Sequence, residues 1–460
     1  MKLSELFRHT SVSCEATDEV LFLARNGRNA VSGSLVCLFG EHAPTEAQLA
    51  FRQGARAFLC DRALILPDGA TVLITAHPRE DYAAVCAAFY DEPHKDMTLI
   101  GFCGGREVLG ALGLSYHLLN ACGIPAVLVG EDGYQWNDTR TLYAEHPIGP
   151  RELYRALREA KRRGIRVALI HLPLHAVEND FLGGASLSAL VCRGEDDYPP
   201  LLAANKDTTV ICPSEAASYL PGRLTRTYGV DGDLCLGAEG ISPCGARLSA
   251  PGVGVLSVPI FHQNGAECAG IAVSVAESVG ISRGIATRML EKVSTVASLE
   301  HIPSEDGVTY LLDDSFTPVD TERALADARS HTVGQMIAVV GCVGMRDYDR
   351  RAPLGLLLER YADRAILTAD NPGLESVEHI ANDILTRVAS PGKFDVIPDR
   401  EAAIGHAVSI ARPGDTVLLL GKGYEPHQLI GGQALPYDEK ATLIRALRKK
   451  QESRKPVCSI

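Results

Sequence analysis

The chain has no surplus of positive charge. Its 45 Lys and Arg stand against 57 Asp and Glu, a formal net charge of −12. That excludes a broad nucleic-acid or anionic-membrane surface as the main partner and leaves room for a local basic pocket around a phosphate ligand. No stretch approaches the roughly 18 apolar residues of a membrane span. Met1-Lys2-Leu3-Ser4-Glu5-Leu6-Phe7-Arg8 has no apolar core of signal-peptide length, so the cytoplasm is the expected compartment. The 13 cysteines are scattered, odd in number and never spaced Cys-x-x-Cys. They read as buried reduced thiols rather than a disulfide or zinc framework. No internal repeat is found. What is present is a chain of 460 residues, 46% hydrophobic and 22% charged, enough for about three well-packed domains of ordinary size.

Three blocks are expected, at 1–97, 98–303 and 304–460. In the first, Leu35–Phe39, Ala57–Cys60 and Thr71–Ile74 read as buried strands, and Ala83–Tyr90 as a helix closed near Pro93. In the second, Ala126–Gly130 and Val167–Ile170 are buried strands flanking a charged amphipathic helix, Pro150–Arg163. This alternation implies a parallel sheet with helices on both faces. Gly232–Val258 reads as short hairpins, and Ala266–Val279 and Ile285–Val296 as helices. In the third, Met336–Val340, Arg364–Thr368 and Thr416–Leu420 are buried strands of a second doubly wound unit. Ligands in such units sit at the carboxyl ends of the strands. The polar loops fall there: Gly341–Arg351, Asp370-Asn371-Pro372 and Gly421-Lys422-Gly423. The tail Lys449–Ile460 reads as polar and frayed.

One loop has the setting of a phosphate cradle without its chemistry. Leu99-Ile100-Gly101-Phe102-Cys103-Gly104-Gly105-Arg106-Glu107-Val108-Leu109 continues an apolar run into a helical pattern, Leu112–Leu119. A strand, a glycine-rich turn and a helix in that order call for Gly-Lys-Ser/Thr, whose N–H groups and lysine hold phosphates. Glu107, Val108 and Leu109 stand at those positions. Val108 removes a charged contact of about 1.5–3 kcal/mol. Leu109 offers a magnesium ion no oxygen. Glu107 adds negative charge beside a polyanion and replaces a residue free to take positive φ. Two compensations stay open: Arg106 as a substitute cation, or Glu107 itself filling the anion position at the helix N-terminus.

Further stretches carry a resemblance. Phe89-Tyr90-Asp91-Glu92-Pro93 resembles the segment that precedes the phosphate loop in the Mur ligase family. Asp313-Asp314-Ser315-Phe316-Thr317-Pro318 resembles that family's Asp-Tyr-Ala-His-Thr-Pro, and Gly341-Cys342-Val343-Gly344-Met345-Arg346-Asp347 its Gly-Cys-Gly-Gly-Asp-Arg-Asp. Asp370-Asn371-Pro372-Gly373 resembles Asp-Asn-Pro-Arg, and Gly421-Lys422-Gly423-Tyr424-Glu425 resembles Gly-Lys-Gly-His-Glu. The four motifs of the third block, in order, form a specific signal, nearest to the branch that adds the third amino acid to UDP-N-acetylmuramoyl-dipeptide.

The resemblance implies an α/β fold of three domains: a UDP-sugar-binding-like domain (1–97), a central ATPase-like domain on a P-loop-type parallel sheet (98–303), and a Rossmann-like amino-acid-binding domain (304–460). It implies a ligase that activates a carboxylate with ATP and magnesium, as an acyl phosphate, before an amine attacks. Several positions depart from it. His171 stands at the magnesium-binding glutamate, with His175 a weak remnant of the family's histidine. A zinc site on both is opposed by Pro173, and no metal ligands are assigned. The stretch that carries a carbamylated lysine is shortened near Lys206, Ser298 replaces an arginine, and Phe316 a histidine. Asn264 is a remnant of the nucleotide site. In the first block, Asn26-Gly27-Arg28 keeps only the arginine of Asp-Ser-Arg, and Glu41-His42-Ala43-Pro44 stands where the family contacts uracil.

The amino-acid pocket is better kept, with Arg346, Asp370, Asn371, Gly421 and Glu425 as candidates. An arginine would pair with a carboxylate, and the two acids would attract an amino group. Gly373 replaces an arginine that reads the far carboxylate of diaminopimelate. The alternative is that these residues cap helices and close turns. Gly104, Gly105, Arg106, Glu107, Val108 and Leu109 together read as a degenerate nucleotide loop. The expectation is a ligase-like protein of the peptidoglycan precursor pathway, without catalysis or repurposed, with no cofactor. It would bind a UDP-MurNAc-peptide, an amino acid, an active Mur ligase or another cell-wall protein. An active ATP-dependent acid–amino-acid ligase and a scaffold protein are the other two readings.

Overall fold

A computed structural model describes the chain apart from residues 106–107, 131–132, 138, 143–148, 179–180, 193–206, 221–223, 243–244, 259–264, 294–299, 314–317, 346–347, 424, 426 and 455–460. The chain falls into two compact units. One comprises Met1–Val108, Leu119–Leu234 and Ile271–Ser282, the other Leu109–Leu118, Cys235–Gly270 and Arg283–Ile460.

The first unit holds two sheets. Strands β1 (Phe22–Ala24), β2 (Ser34–Leu38), β3 (Ala57–Cys60) and β4 (Thr71–Ile74) are parallel and lie in chain order. The helix expected from Ala83 starts earlier and runs Pro78–Phe89. Pro78 opens it, where a missing N–H costs nothing, and Glu80 and Asp81 favour the positive end of its dipole.

The larger sheet contains β5 (Thr98–Cys103), β6 (Ala126–Val129), β7 (Gly133–Trp136), β8 (Thr139–Leu142), β9 (Val167–Leu172), β10 (Ala189–Val191), β11 (Thr209–Pro213) and β12 (Thr225–Tyr228). Their order is β12-β11-β10-β5-β9-β6-β7-β8, with parallel pairing throughout except that β7, near one edge, runs antiparallel to both β6 and β8. β9 extends beyond the expected Ile170 and takes in His171 and Leu172. Helix Pro150–Arg162 buries Leu153, Tyr154, Ala156, Leu157 and Ala160 on one face. Glu152 caps its start by accepting from Gly149 N–H at 3.1 Å.

Register in this sheet aligns residues far apart in sequence. Val191 lies beside Phe102 on β5 and Ile211 on β11. The next residue on each strand is a cysteine, so Cys103, Cys192 and Cys212 form one row across three adjacent strands. All three are thiols outside any disulfide, buried in one core cluster with Leu172, Phe181, Leu190 and Ala216. Burial pushes the Cys212 thiol up to about 11, and neighbouring Cys192 adds to the rise.

In the second unit, β13 (Gly237–Ser242), β14 (Gly245–Ala250) and β15 (Gly254–Val258) form an antiparallel meander in the segment expected to be hairpins. The helix expected over Ile285–Val296 is shorter: Arg283–Met289, then one 3₁₀ turn, Leu290–Lys292. Val293 is already extended, as its branched Cβ favours; 294–296 lie outside the described residues.

A six-stranded sheet follows: β16 (Glu300–Ile302), β17 (Thr309–Leu312), β18 (Met336–Val340), β19 (Arg364–Leu367), β20 (Phe394–Val396) and β21 (Thr416–Leu419). Their order is β16-β17-β21-β18-β19-β20, parallel except for β16. A hairpin, β22 (His427–Ile430) and β23 (Gln433–Pro436), lies beyond it in the chain. Alternate residues serve two cores. Met336, Ala338 and Val340 join one cluster, while Ile337 and Val339 join another with helix Arg400–Ile410. A strand covered on both faces reads as an unbroken apolar run. Among the described residues, no helix is long and apolar enough to cross a membrane.

Candidate functional site

The glycine-rich loop leaves β5 after Cys103. His171, the β9 neighbour of Phe102, is only 3% exposed. Its Nε2 lies 3.0 Å from the carbonyl oxygen of Gly104 and 3.1 Å from that of Gly105. Both partners can only accept, so Nε2 carries the hydrogen and donates to both. A carboxylate at this position could make neither bond. Val108 is buried, and Leu109 begins helix Leu109–Ala121. His175 is exposed on the short helix Leu174–Glu178. Pro173 separates that helix from β9, so the two histidines belong to different elements. Arg106, Glu107, Lys206, Asn264, Ser298, Phe316 and Arg346 lie outside the described residues.

The second group gathers at the carboxyl ends of β18, β19 and β21. Asp370 and Asn371 follow β19, and Gly421 and Lys422 follow β21. Lys422 is buried, with its Nζ 2.9 Å from Asn371 Oδ1, 2.7 Å from Glu425 Oε2 and 3.9 Å from Asp370 Oδ1. Asn371 also donates from Nδ2 to Glu425 Oε2 at 2.7 Å and accepts from Leu429 N–H at 2.9 Å. The structure thus brings Asp370, Asn371, Gly421 and Glu425 together around an ammonium supplied by the chain. Burial raises the Asp370 pKa, against the pull of Arg400 and Lys422. Burial also works against ionised Glu425, but its bonds to Lys422 and Asn371 prevail and its pKa falls.

Two charged clusters brace these loops. Arg400, fully buried, pairs with buried Glu439 at 2.6–3.1 Å and donates to the carbonyls of Ala369 at 3.1 Å and Leu420 at 3.2 Å. Those carbonyls immediately precede Asp370 and Gly421. Tyr437 donates to Glu439 Oε2 at 2.8 Å. Arg351, also buried, reaches Glu375 at 2.6 and 2.8 Å, Asp383 at 2.7 Å and the Val343 carbonyl at 3.3 Å. Glu375, His379 and Asp383 cluster closely enough to resemble a metal site, but the Arg351 guanidinium already occupies their carboxylates and accounts for the cluster. Gly344 approaches the loop after β19 so closely that a Cβ would overlap the Pro372 carbonyl oxygen.

The sequence reading did not single out Lys422, Arg400, Glu439 or Arg351. Lys422 lies inside a recognised motif, which was a usable signal. Nothing local marks Arg400 or Glu439, because their pairing comes from packing helix Arg400–Ile410 beside helix Glu439–Arg454.

Residues 299–423 match the family described as Mur ligase, glutamate ligase domain. A UDP-N-acetylmuramoyl-L-alanyl-D-glutamate–2,6-diaminopimelate ligase from Thermosynechococcus vestitus is 27% identical over 425 residues, covering 83% of this chain and 85% of the relative. A solved structure of a ligase of that name aligns with a TM-score of 0.64 at 19% identity, over 98% of this chain and 100% of that one. The MurF ligase from Thermotoga maritima in complex with ADP aligns with a TM-score of 0.52 at 14% identity, over 95% and 99% of the two chains. The chain is thus similar to Mur ligases along most of its length, and residues 299–423 carry the match to their glutamate ligase domain.

Proposed function

We propose that this chain is a Mur-ligase-type binding protein that has given up the ATP-dependent step. It serves the peptidoglycan precursor pathway in the cytoplasm by holding a precursor peptide, an amino acid or an active ligase of the family. The observation that carries this reading is the His171 clamp. Its imidazole N–H is spent on the carbonyls of Gly104 and Gly105, at the position where the family resemblance calls for a magnesium-binding carboxylate. Val108 and Leu109 add neither cation nor hydroxyl. These residues do not suit a magnesium–nucleotide complex, and no chemical step is assigned to one. The domain roles follow the resemblance: 1–97 for a UDP-sugar-like ligand, 98–303 as the former ATPase, 304–460 for an amino acid at Asp370, Asn371, Gly421, Glu425 and Arg346.

The test is phosphate release from ATP by the purified chain with UDP-MurNAc-dipeptide and a panel of amino acids. Calorimetry follows with magnesium–ATP, with UDP-MurNAc-peptides and with amino acids separately. No turnover and no nucleotide heat are expected, with binding of a precursor or amino acid retained. Turnover that disappears when residues 104–109 are altered would overturn the proposal in favour of an active ligase.

A further inference from the structure

Two of the candidate pocket residues are out of a ligand's reach in this conformation. Asp370 is 3% exposed and Asn371 6%. The hairpin of β22 and β23 is tied down over them. Its strands pair with each other alone among the described strands. All four residues of β23 are exposed, as are Leu429 and Ile430 on β22. A two-stranded hairpin is marginal by itself in water, so its position depends on what holds it.

The ties run to the loop after β19. Leu429 N–H donates to Asn371 Oδ1 at 2.9 Å, and Gly373 N–H donates to the Leu429 carbonyl at 3.0 Å. Gly431 N–H donates to the Gly373 carbonyl at 2.7 Å. Gly373 meets the hairpin with both backbone groups and does so at φ 62°, in the left-handed region that suits glycine. The buried Gln428 side chain donates from Nε2 to the Ala369 carbonyl at 3.2 Å.

Two of these ties end on oxygens that flank Asp370. Each oxygen has two lone pairs. On Ala369 one is taken by Arg400 Nη1, and on Asn371 Oδ1 one is taken by Lys422 Nζ. The other on each is held by the hairpin. An ammonium group is a pure donor with three N–H bonds, so it suits both oxygens. It can enter only where the hairpin's donors leave.

We infer that the hairpin, residues 427–436, is a self-inhibiting lid. The Leu429 N–H and the Gln428 amide stand in for the ammonium of an amino compound, which binds beside Asp370 only after the hairpin lifts. The inference rests on the amino-acid reading of the pocket given above.

The test is amide hydrogen exchange on the full chain, alone and with alanine, lysine or diaminopimelate at concentrations that calorimetry shows to be saturating. A ligand that closes a pocket slows exchange around it. Here exchange should rise on the order of tenfold at Gly373, Leu429 and Gly431, whose N–H groups lose their acceptors. Gln428→Leu removes one tie and should tighten binding by about twofold to tenfold, because the closed state loses a hydrogen bond that the open state never had. The exchange measurement needs no variant and stands even where Gln428→Leu fails to fold. Binding with slower or unchanged exchange at those three amides would overturn the inference and leave the pocket reading in place. So would a folded Gln428→Leu chain that binds no more tightly than its parent. Binding of none of the three compounds would overturn the pocket reading itself, and this inference with it.

Discussion

Replacing Glu439 by glutamine should destabilise the second unit severely. The side chain keeps its shape but loses its charge, and the Arg400 guanidinium stays buried with only the carbonyls of Ala369 and Leu420 and a neutral amide for partners. Removing one member of a buried ion pair costs about 3–5 kcal/mol, because the desolvation of the remaining charge is no longer offset. Arg400→Met should cost a similar amount by stranding the carboxylate of Glu439 beside Tyr437. The double variant should lose less than the sum of the two, by about 0.5–3 kcal/mol. Urea unfolding followed by circular dichroism measures all three. The effect should also reach the pocket. Arg400 ties down the carbonyls just before Asp370 and Gly421, so amide hydrogen exchange should rise at residues 370–373 and 421–425 in Arg400→Met. A loss below about 1 kcal/mol in Glu439→Gln would refute the claim that the pair is an uncompensated charge when broken.

Arg351 holds the Glu375 carboxyl down to about 2, below its unfolded value of about 4.3. Glu375 therefore contributes stability that is complete above the unfolded pKa and lost as pH falls through the folded one. Acid titration of unfolding should show that loss between about pH 4.5 and 2, and Glu375→Gln should lack it. His171→Ala removes the donor to two loop carbonyls and should cost about 1–3 kcal/mol, with faster amide exchange around the loop; an unchanged unfolding midpoint would contradict the clamp. Gly344→Ala forces a methyl against the Pro372 carbonyl and should cost about 1–3 kcal/mol by urea unfolding, with weaker amino-acid binding by calorimetry.

The doubly wound sheets were legible because β18, β19 and β21 are covered on both faces and therefore appear as continuous apolar runs. The candidate residues at their carboxyl ends were legible for the same reason. His171 was harder. Ending β9 at Ile170 left it in the segment after the strand with no partner to read from the sequence, whereas Leu172 continues the strand and fixes the imidazole beside Phe102. Lys422 was visible as a letter of a motif, but its partners come from the loops after β19 and β21, so its inward turn depends on tertiary closure. Arg351, Glu375 and Asp383 meet only once helix Tyr348–Tyr361 packs beside helix Val377–Leu385. No sequence window contains that contact.

The row Cys103–Cys192–Cys212 gives the larger sheet an internal gauge of its own breathing. Each thiol is sealed in the core, and burial holds Cys212 in its poorly nucleophilic neutral form. A thiol reagent can reach them only when the segments covering that face of the sheet, those of Phe181 and Ala216 among them, lift away. Labelling rates at these sulfurs would therefore report how often that part of the core opens, without any engineered probe.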